Sequence, residues 1–129
     1  MSKMRCECGH VIADQSWGLP YKAELIPDGF MESFYDRLGQ LIEELIQATT
    51  QGRRVEWVKQ KLGQGYSPGL SDSALIWDAF DFRDSTRTMY QCEQCGRLLM
   101  EIGHSNTYTS FLPEDEAGRN ILAAGPNAG

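Results

Sequence analysis

The sequence predicts an α+β fold in which an antiparallel β-unit, built around two cysteine-bearing turns, carries a helical insertion packed against it. Three observations point there. The four cysteines stand as two tight pairs at opposite ends of the chain, in "MRCECGHVI" and "YQCEQCGRLLMEI", each pair followed at once by glycine. Between the pairs, apolar residues recur with a helical period. Around the second pair the composition turns to β-branched and aromatic residues. A chain of 129 residues suits one domain with one core, so residues 1–115 are expected to form a single domain and residues 116–129, which lack periodicity, a disordered tail.

Residues 3–14 read as strand, sharp turn and strand, with Cys6, Cys8 and Gly9 at the turn. The following "WGLPYKAELIPDGF" holds two prolines and two glycines, so it reads as an extended connection ending at a helix, with Asp28 as the expected N-cap. From there Phe30, Phe34, Leu38, Leu41, Ile42, Leu45 and Ile46 form one apolar stripe, and Glu32, Asp36, Gln40, Glu43 and Glu44 fall opposite it. This predicts a long amphipathic helix that ends near Gly52. "RRVEWVKQKLG" predicts a second helix with Val55, Val58 and Leu62 as its buried edge. A loop over "GQGYSPGLSDS" leads to a short third helix through "ALIWDAF", capped by Ser71 or Asp72. Three antiparallel strands are expected around "TRTMYQ", "RLLMEI" and "TYTSFLPE", with Leu98, Met100 and Ile102 alternating against Arg97, Leu99 and Glu101.

An apolar fraction of 41% and a charged fraction of 23% belong to a folded globular chain. No apolar segment follows the basic residues of "MSKMRCEC", and no long apolar run occurs, so neither secretion nor a membrane span is expected and the chain is assigned to the cytoplasm. In a reducing compartment paired cysteines read as metal ligands before disulfides. The net charge of −6, about −8 once four thiolates bind one divalent ion, argues against nucleic acid, since lysines and arginines are scattered and form no basic patch. A basic protein partner is favoured.

In "CEQCG" two intervening residues let both sulfurs turn toward one point, and the glycine allows the close turn whose amides donate to thiolates. "CECG" has one intervening residue and needs a tighter turn, yet it supplies two further corners of a tetrahedron. Cys6, Cys8, Cys92 and Cys95 are therefore the expected ligands of one structural zinc ion; His10 in place of Cys6 or Cys8 is the alternative ligand. A redox dithiol would place its CxxC at the start of a helix, whereas this one opens into an apparent strand. An iron site shares the same donor set. Four protein ligands leave no open coordination position, so the metal is structural and not catalytic.

His104 in "EIGHSNTY" reads as a turn residue, "GQGYSPG" lacks the Lys-Ser/Thr ending of a phosphate loop, and neither GxSxG nor HExxH occurs. A non-enzymatic role is expected. The knuckles "CECGH" and "CEQCGRL" resemble those of zinc-ribbon and rubredoxin-like proteins, which implies an antiparallel zinc-ribbon β-unit. The whole layout, with its early CxCG, "LPYKAELIPD", helical middle and late YxCxxCGRL, resembles small uncharacterised bacterial proteins, and in size, acidity and architecture the chain is similar to some toxin-immunity proteins. That resemblance implies an inhibitor covering a toxin through the acidic helix face of Glu32, Asp36, Gln40, Glu43 and Glu44. A zinc-ribbon module in transcription or RNA handling, and a thiol or metal enzyme, are the competing readings.

Overall fold

The computed structural model describes residues 2–123, and it is a mixed α+β protein with three α-helices and two antiparallel sheets. The chain divides into two compact units, residues 1–26 with 86–129 and residues 27–85. Each has its own buried cluster, where the sequence led to the expectation of one domain with one core.

The first unit holds all the strands among the described residues. Strands β1 (Ser2–Arg5) and β2 (Val11–Asp14) form a hairpin, while β3 (Lys22–Leu25), β4 (Arg87–Gln91), β5 (Leu98–Glu101) and β6 (Tyr108–Phe111) form a four-stranded sheet in that order. β3 lies inside the stretch expected to be a plain connection; Lys22 pairs with Tyr90 and Leu25 with Arg87. Residues of alternate faces separate along each strand, and Tyr90 and Leu99, paired across β4 and β5, share one face. They pack with Ile12, Cys6 and Cys92 into the unit's core, and Met4, Tyr21 and Tyr108 border it. Leu99 is thus the inward residue of β5, and Leu98 and Met100, on the other face, are only half-buried.

The far end of the hairpin is tied to the sheet by Asp14. Its Oδ2 accepts a bond from Lys22 Nζ at 2.6 Å and another from the hydroxyl of Tyr90. Burial alone would raise the Asp14 pKa, but Lys22 and Tyr90 outweigh it and hold the carboxyl below its ordinary value. The hydroxyl of Tyr21 adds a bond to the Ala13 carbonyl.

In the second unit, α1 (Asp28–Thr50), α2 (Arg54–Leu62) and α3 (Asp72–Ala79) enclose Leu41, Leu45, Ala48, Trp57, Val58 and Leu75. Ser71 caps α3 by accepting from the Ala74 amide at 3.2 Å, as its position suggests. The start of α1 differs from expectation: Pro27 occupies the N-cap position without a side-chain bond, and Asp28 sits in the first turn, where its charge favours the helix dipole. On α2 the inward residues are Trp57 and Val58, and Val55 is 44% exposed. The larger indole takes the interior place that the aliphatic spacing had given to valine.

Residues 116–123, expected to be disordered, carry a 3-10 turn over Glu116–Gly118 and side-chain bonds to β4; residues 124–129 lie outside the described residues. No helix among the described residues is long and apolar enough to cross a membrane.

Candidate metal centre

The two cysteine pairs sit at the tips of two hairpins whose turns follow one plan. In the second, the Cys92 amide donates to the Arg97 carbonyl at 2.8 Å and the Gly96 amide returns to the Cys92 carbonyl at 2.8 Å. In the first, the Cys6 amide donates to the His10 carbonyl and the Gly9 amide to the Cys6 carbonyl, both at 2.9 Å. Every offset is one residue shorter, which accounts for one residue between Cys6 and Cys8 against two between Cys92 and Cys95. Each turn closes through a glycine of positive φ, +99° at Gly9 and +84° at Gly96, a backbone state that costs other residues about 1–2 kcal/mol.

These turns bring four sulfur atoms from opposite ends of the chain within 4.8 Å of one another. Across the two turns, Cys6 Sγ lies 3.5 Å from Cys95 Sγ and Cys8 Sγ lies 3.6 Å from Cys92 Sγ. None is in a disulfide. Four thiolates around one ion at a metal–sulfur distance near 2.3 Å stand about 3.8 Å apart along each tetrahedral edge, so the donor set and its spacing fit a tetrahedral metal ion. Cys6 and Cys92 are buried, and Cys8 and Cys95 are half-buried. His10 lies outside the sulfur cluster and contributes its backbone carbonyl to the turn.

The local field differs from one thiol to the next. Burial pushes Cys6 up to about 12 although the Cys8 amide donates to it. Cys92 is raised as well, chiefly by burial, against donation from the Cys95 and Gln94 amides. Burial also raises Cys95, but the amide and guanidinium of Arg97 outweigh it and bring that thiol down to about 6; Arg97 Nη1 stands 3.4 Å from its sulfur. Glu7 pairs with Arg97 at 3.6 Å from the other turn. Since a metal binds thiolates, its uptake must expel the protons that burial keeps on Cys6 and Cys92, and acid works against it.

Three residues around the centre escape a sequence reading. Arg97 falls in the strand alternation as an ordinary polar position, although its place directly after "CG" is the available signal. Gln91 is 2% exposed; its Nε2 donates to the Gly96 carbonyl at 3.0 Å and the Gly118 carbonyl at 2.7 Å, and its Oε1 accepts from the Leu122 amide at 3.2 Å. Arg119 Nη2 donates to the Gln94 carbonyl at 2.9 Å. For these last two, "DEAG" holds the local signal, with Asp115 accepting from the Gly118 amide to cap the 3-10 turn.

The residues expected to meet a partner lie on α1. Glu32, Asp36, Gln40 and Glu43 are exposed. Glu44 leaves that group, because its carboxylate pairs with Lys61 of α2 at 3.1 Å and lines a cleft beside Trp57 and Arg53. At 100° per residue Glu44 points toward the flank of α1 that faces α2. His104 is an exposed turn residue whose Nε2 lies 3.2 Å from Arg87 Nη1.

No curated protein and no solved structure matches the chain. One family model does, over residues 2–115, a span that takes in both cysteine turns and all three helices, and the chain accordingly belongs to the family described as Domain of unknown function (DUF8617).

Proposed function

We propose that Cys6, Cys8, Cys92 and Cys95 hold one structural zinc ion in a zinc-ribbon-like pair of knuckles. The protein is then a non-enzymatic binding module, most concretely an immunity- or antitoxin-like inhibitor of a basic toxin. The zinc reading is supported by four sulfurs at tetrahedral spacing and by backbone amides placed to donate to Cys6, Cys92 and Cys95. The ion supplies a redox-inert cross-link between hairpins that are remote in sequence. Four thiolates fill its shell, so the ion offers no position to a substrate.

The outward face of α1 carries the binding reading. At 100° per residue, Tyr35, Ile42 and Ile46 share an arc of about 40°, and Glu32, Glu43 and Asp36 fill the next arc of similar width. Tyr35 is 63% and Ile46 53% exposed. An apolar ridge bordered by carboxylates on a rigid helix suits a basic protein surface with an apolar groove: charge speeds the encounter and the ridge sets the lifetime.

The test is association kinetics with a partner recovered from the native cell. Reversal of Asp36 and Glu43 to lysine should lower the on-rate about tenfold at low salt and little at high salt, and Ile46→Ala should raise the off-rate. An on-rate that ignores the reversals at every salt concentration would reduce the acids to solvation and move the site to the loops around Trp17 and Tyr66.

A further inference from the structure

We infer, resting on the zinc reading above, that metal exchange runs through the N-terminal knuckle: Cys6 and Cys8 release the ion first while Cys92 and Cys95 keep hold of it. The C-terminal residues are the reason. They form a latch over the second knuckle, and the first knuckle has no such cover among the described residues.

The latch is built on Gln91, whose buried side chain joins the strand before Cys92 to three points: the Gly96 carbonyl inside the knuckle and the Gly118 carbonyl and Leu122 amide in the C-terminal segment. Arg119 lies across the knuckle itself. Its guanidinium binds the Gln94 carbonyl, and a methyl group placed on Gly96 would stand 2.9 Å from the Cα, Cβ and Cγ of Arg119. Moving Cys92 and Cys95 away from the metal therefore requires lifting this segment and leaving a buried amide without partners, a costly state. The first knuckle contrasts with it. A methyl group on Gly9 would meet nothing within 4 Å, and the bonds to the Gly9 amide, the Cys6 amide and, from Arg5, the Gly9 carbonyl all stay within that hairpin. Its polar tie to the other knuckle is Glu7 to Arg97 at 3.6 Å, with Glu7 73% exposed, a pair of the kind that contributes little. The hairpin's other anchors are the buried side chain of Ile12 on β2 and, at its far end, the polar ties of Asp14 and Ala13, so its tip can open while its base stays docked.

Static exposure would not give this order. Each pair has one buried and one half-buried cysteine, so accessibility alone predicts equal reactivity for the two pairs.

The experiment is pulsed alkylation of the zinc-loaded protein with N-ethylmaleimide. Elemental analysis of the same sample comes first, and a metal-free folded protein there defeats the zinc reading itself. Trypsin then separates the pairs, because cleavage after Arg5 and Lys22 yields one peptide with Cys6 and Cys8, and cleavage after Arg87 and Arg97 yields another with Cys92 and Cys95. The first peptide should label about tenfold faster or more, the factor that corresponds to roughly 1.4 kcal/mol in opening. Arg119→Ala should raise labelling of the second peptide several-fold and leave the first unchanged; Gln91→Leu should do so more strongly. If Gln91→Leu does not fold, Arg119→Ala still decides. Equal rates for both peptides, faster labelling of the Cys92 peptide, or a ratio that Arg119→Ala leaves untouched would overturn the inference.

Discussion

The two knuckle glycines allow one substitution to be made twice in nearly the same backbone state and different surroundings. Gly9 has φ +99° with open space beside it, and Gly96 has φ +84° with Arg119 against it. Alanine at positive φ costs about 1–2 kcal/mol, and the more restricted unfolded chain returns about 0.4–1 of that, so Gly9→Ala should destabilise the zinc-loaded protein by roughly 1 kcal/mol. Gly96→Ala meets the same backbone term plus a methyl group 2.9 Å from a backbone Cα and two side-chain carbons. The overlap must be relieved by shifting the latch, at about 1–3 kcal/mol for overpacking. The expected difference between the two variants is therefore about 1–3 kcal/mol. With a urea dependence of about 1–3 kcal/mol per molar, the Gly96→Ala midpoint should fall about 1 M below that of Gly9→Ala. The assay is a urea titration read by loss of metal to a chromogenic chelator. Adding Arg119→Gly, which removes two of the three opposing atoms, should recover part of the loss in Gly96→Ala and nothing in Gly9→Ala. Equal midpoints for the two variants, or no recovery, would refute the reasoning.

Cys92→Ser should remove the bound metal and unfold the β-unit, a loss on the order of 10 kcal/mol in metal-coupled folding, measured by elemental analysis and by hydrogen exchange of β4 and β5. Chelation of the native protein should likewise abolish protection in the strands while the circular dichroism of helices α1 to α3 persists, because the cluster around Leu75 contains no ligand. Asp14→Asn should cost about 1–2 kcal/mol at neutral pH by weakening the bonds to Lys22 and Tyr90. Because the folded pKa of Asp14 is depressed, that stability is present above the unfolded value of about 3.9 and disappears as pH falls through the lower folded value, so wild type and variant should converge in acid denaturation.

What the sequence made legible is what local spacing controls. The cysteine pairs with their glycines, the capped start of α3 at Ser71 and the three late strands are patterns within ten residues or so, and each lies where its pattern puts it. β3 escaped because its reason for being a strand is far away: Glu24 lies beside Thr88, 64 positions on, and the prolines and glycines flanking it read locally as loop. The apolar stripe of α1 was wider than its partner helices. Leu41 and Leu45 are covered, whereas Ile42 and Ile46 on the same reading are 39% and 53% exposed, because hydrophobic periodicity says which face is apolar and not how much of it another element will cover. Glu44 was misplaced for the same reason, since only the packing of α2 brings Lys61 to it. The C-terminal turn was lost because its order comes from one buried glutamine in a strand that a tail reading never consults.

The composition of the two buried clusters shows what a metal ion would add at the four cysteines. In the helical unit, Leu41, Leu45, Ala48, Trp57, Val58 and Leu75 are all apolar, and their burial supplies folding energy directly, at roughly 25 cal/mol per Å² removed from water. In the β-unit the buried set is Cys6, Ile12, Tyr90, Cys92 and Leu99, and two of those five are candidate ligands. Apart from those two positions, the hairpin of β1 and β2 meets the sheet through Ile12 and the polar ties of Ala13 and Asp14, too little to hold the unit together without an ion. With an ion, the same two side chains become the junction between hairpin and sheet. An ion there would stand in for the apolar side chains that strands of four or five residues are too short to bring inward. A design that replaced all four cysteines by bulkier apolar residues would have to rebuild both turns, because the amides at each glycine-closed tip are already aimed at sulfur and would be left without acceptors.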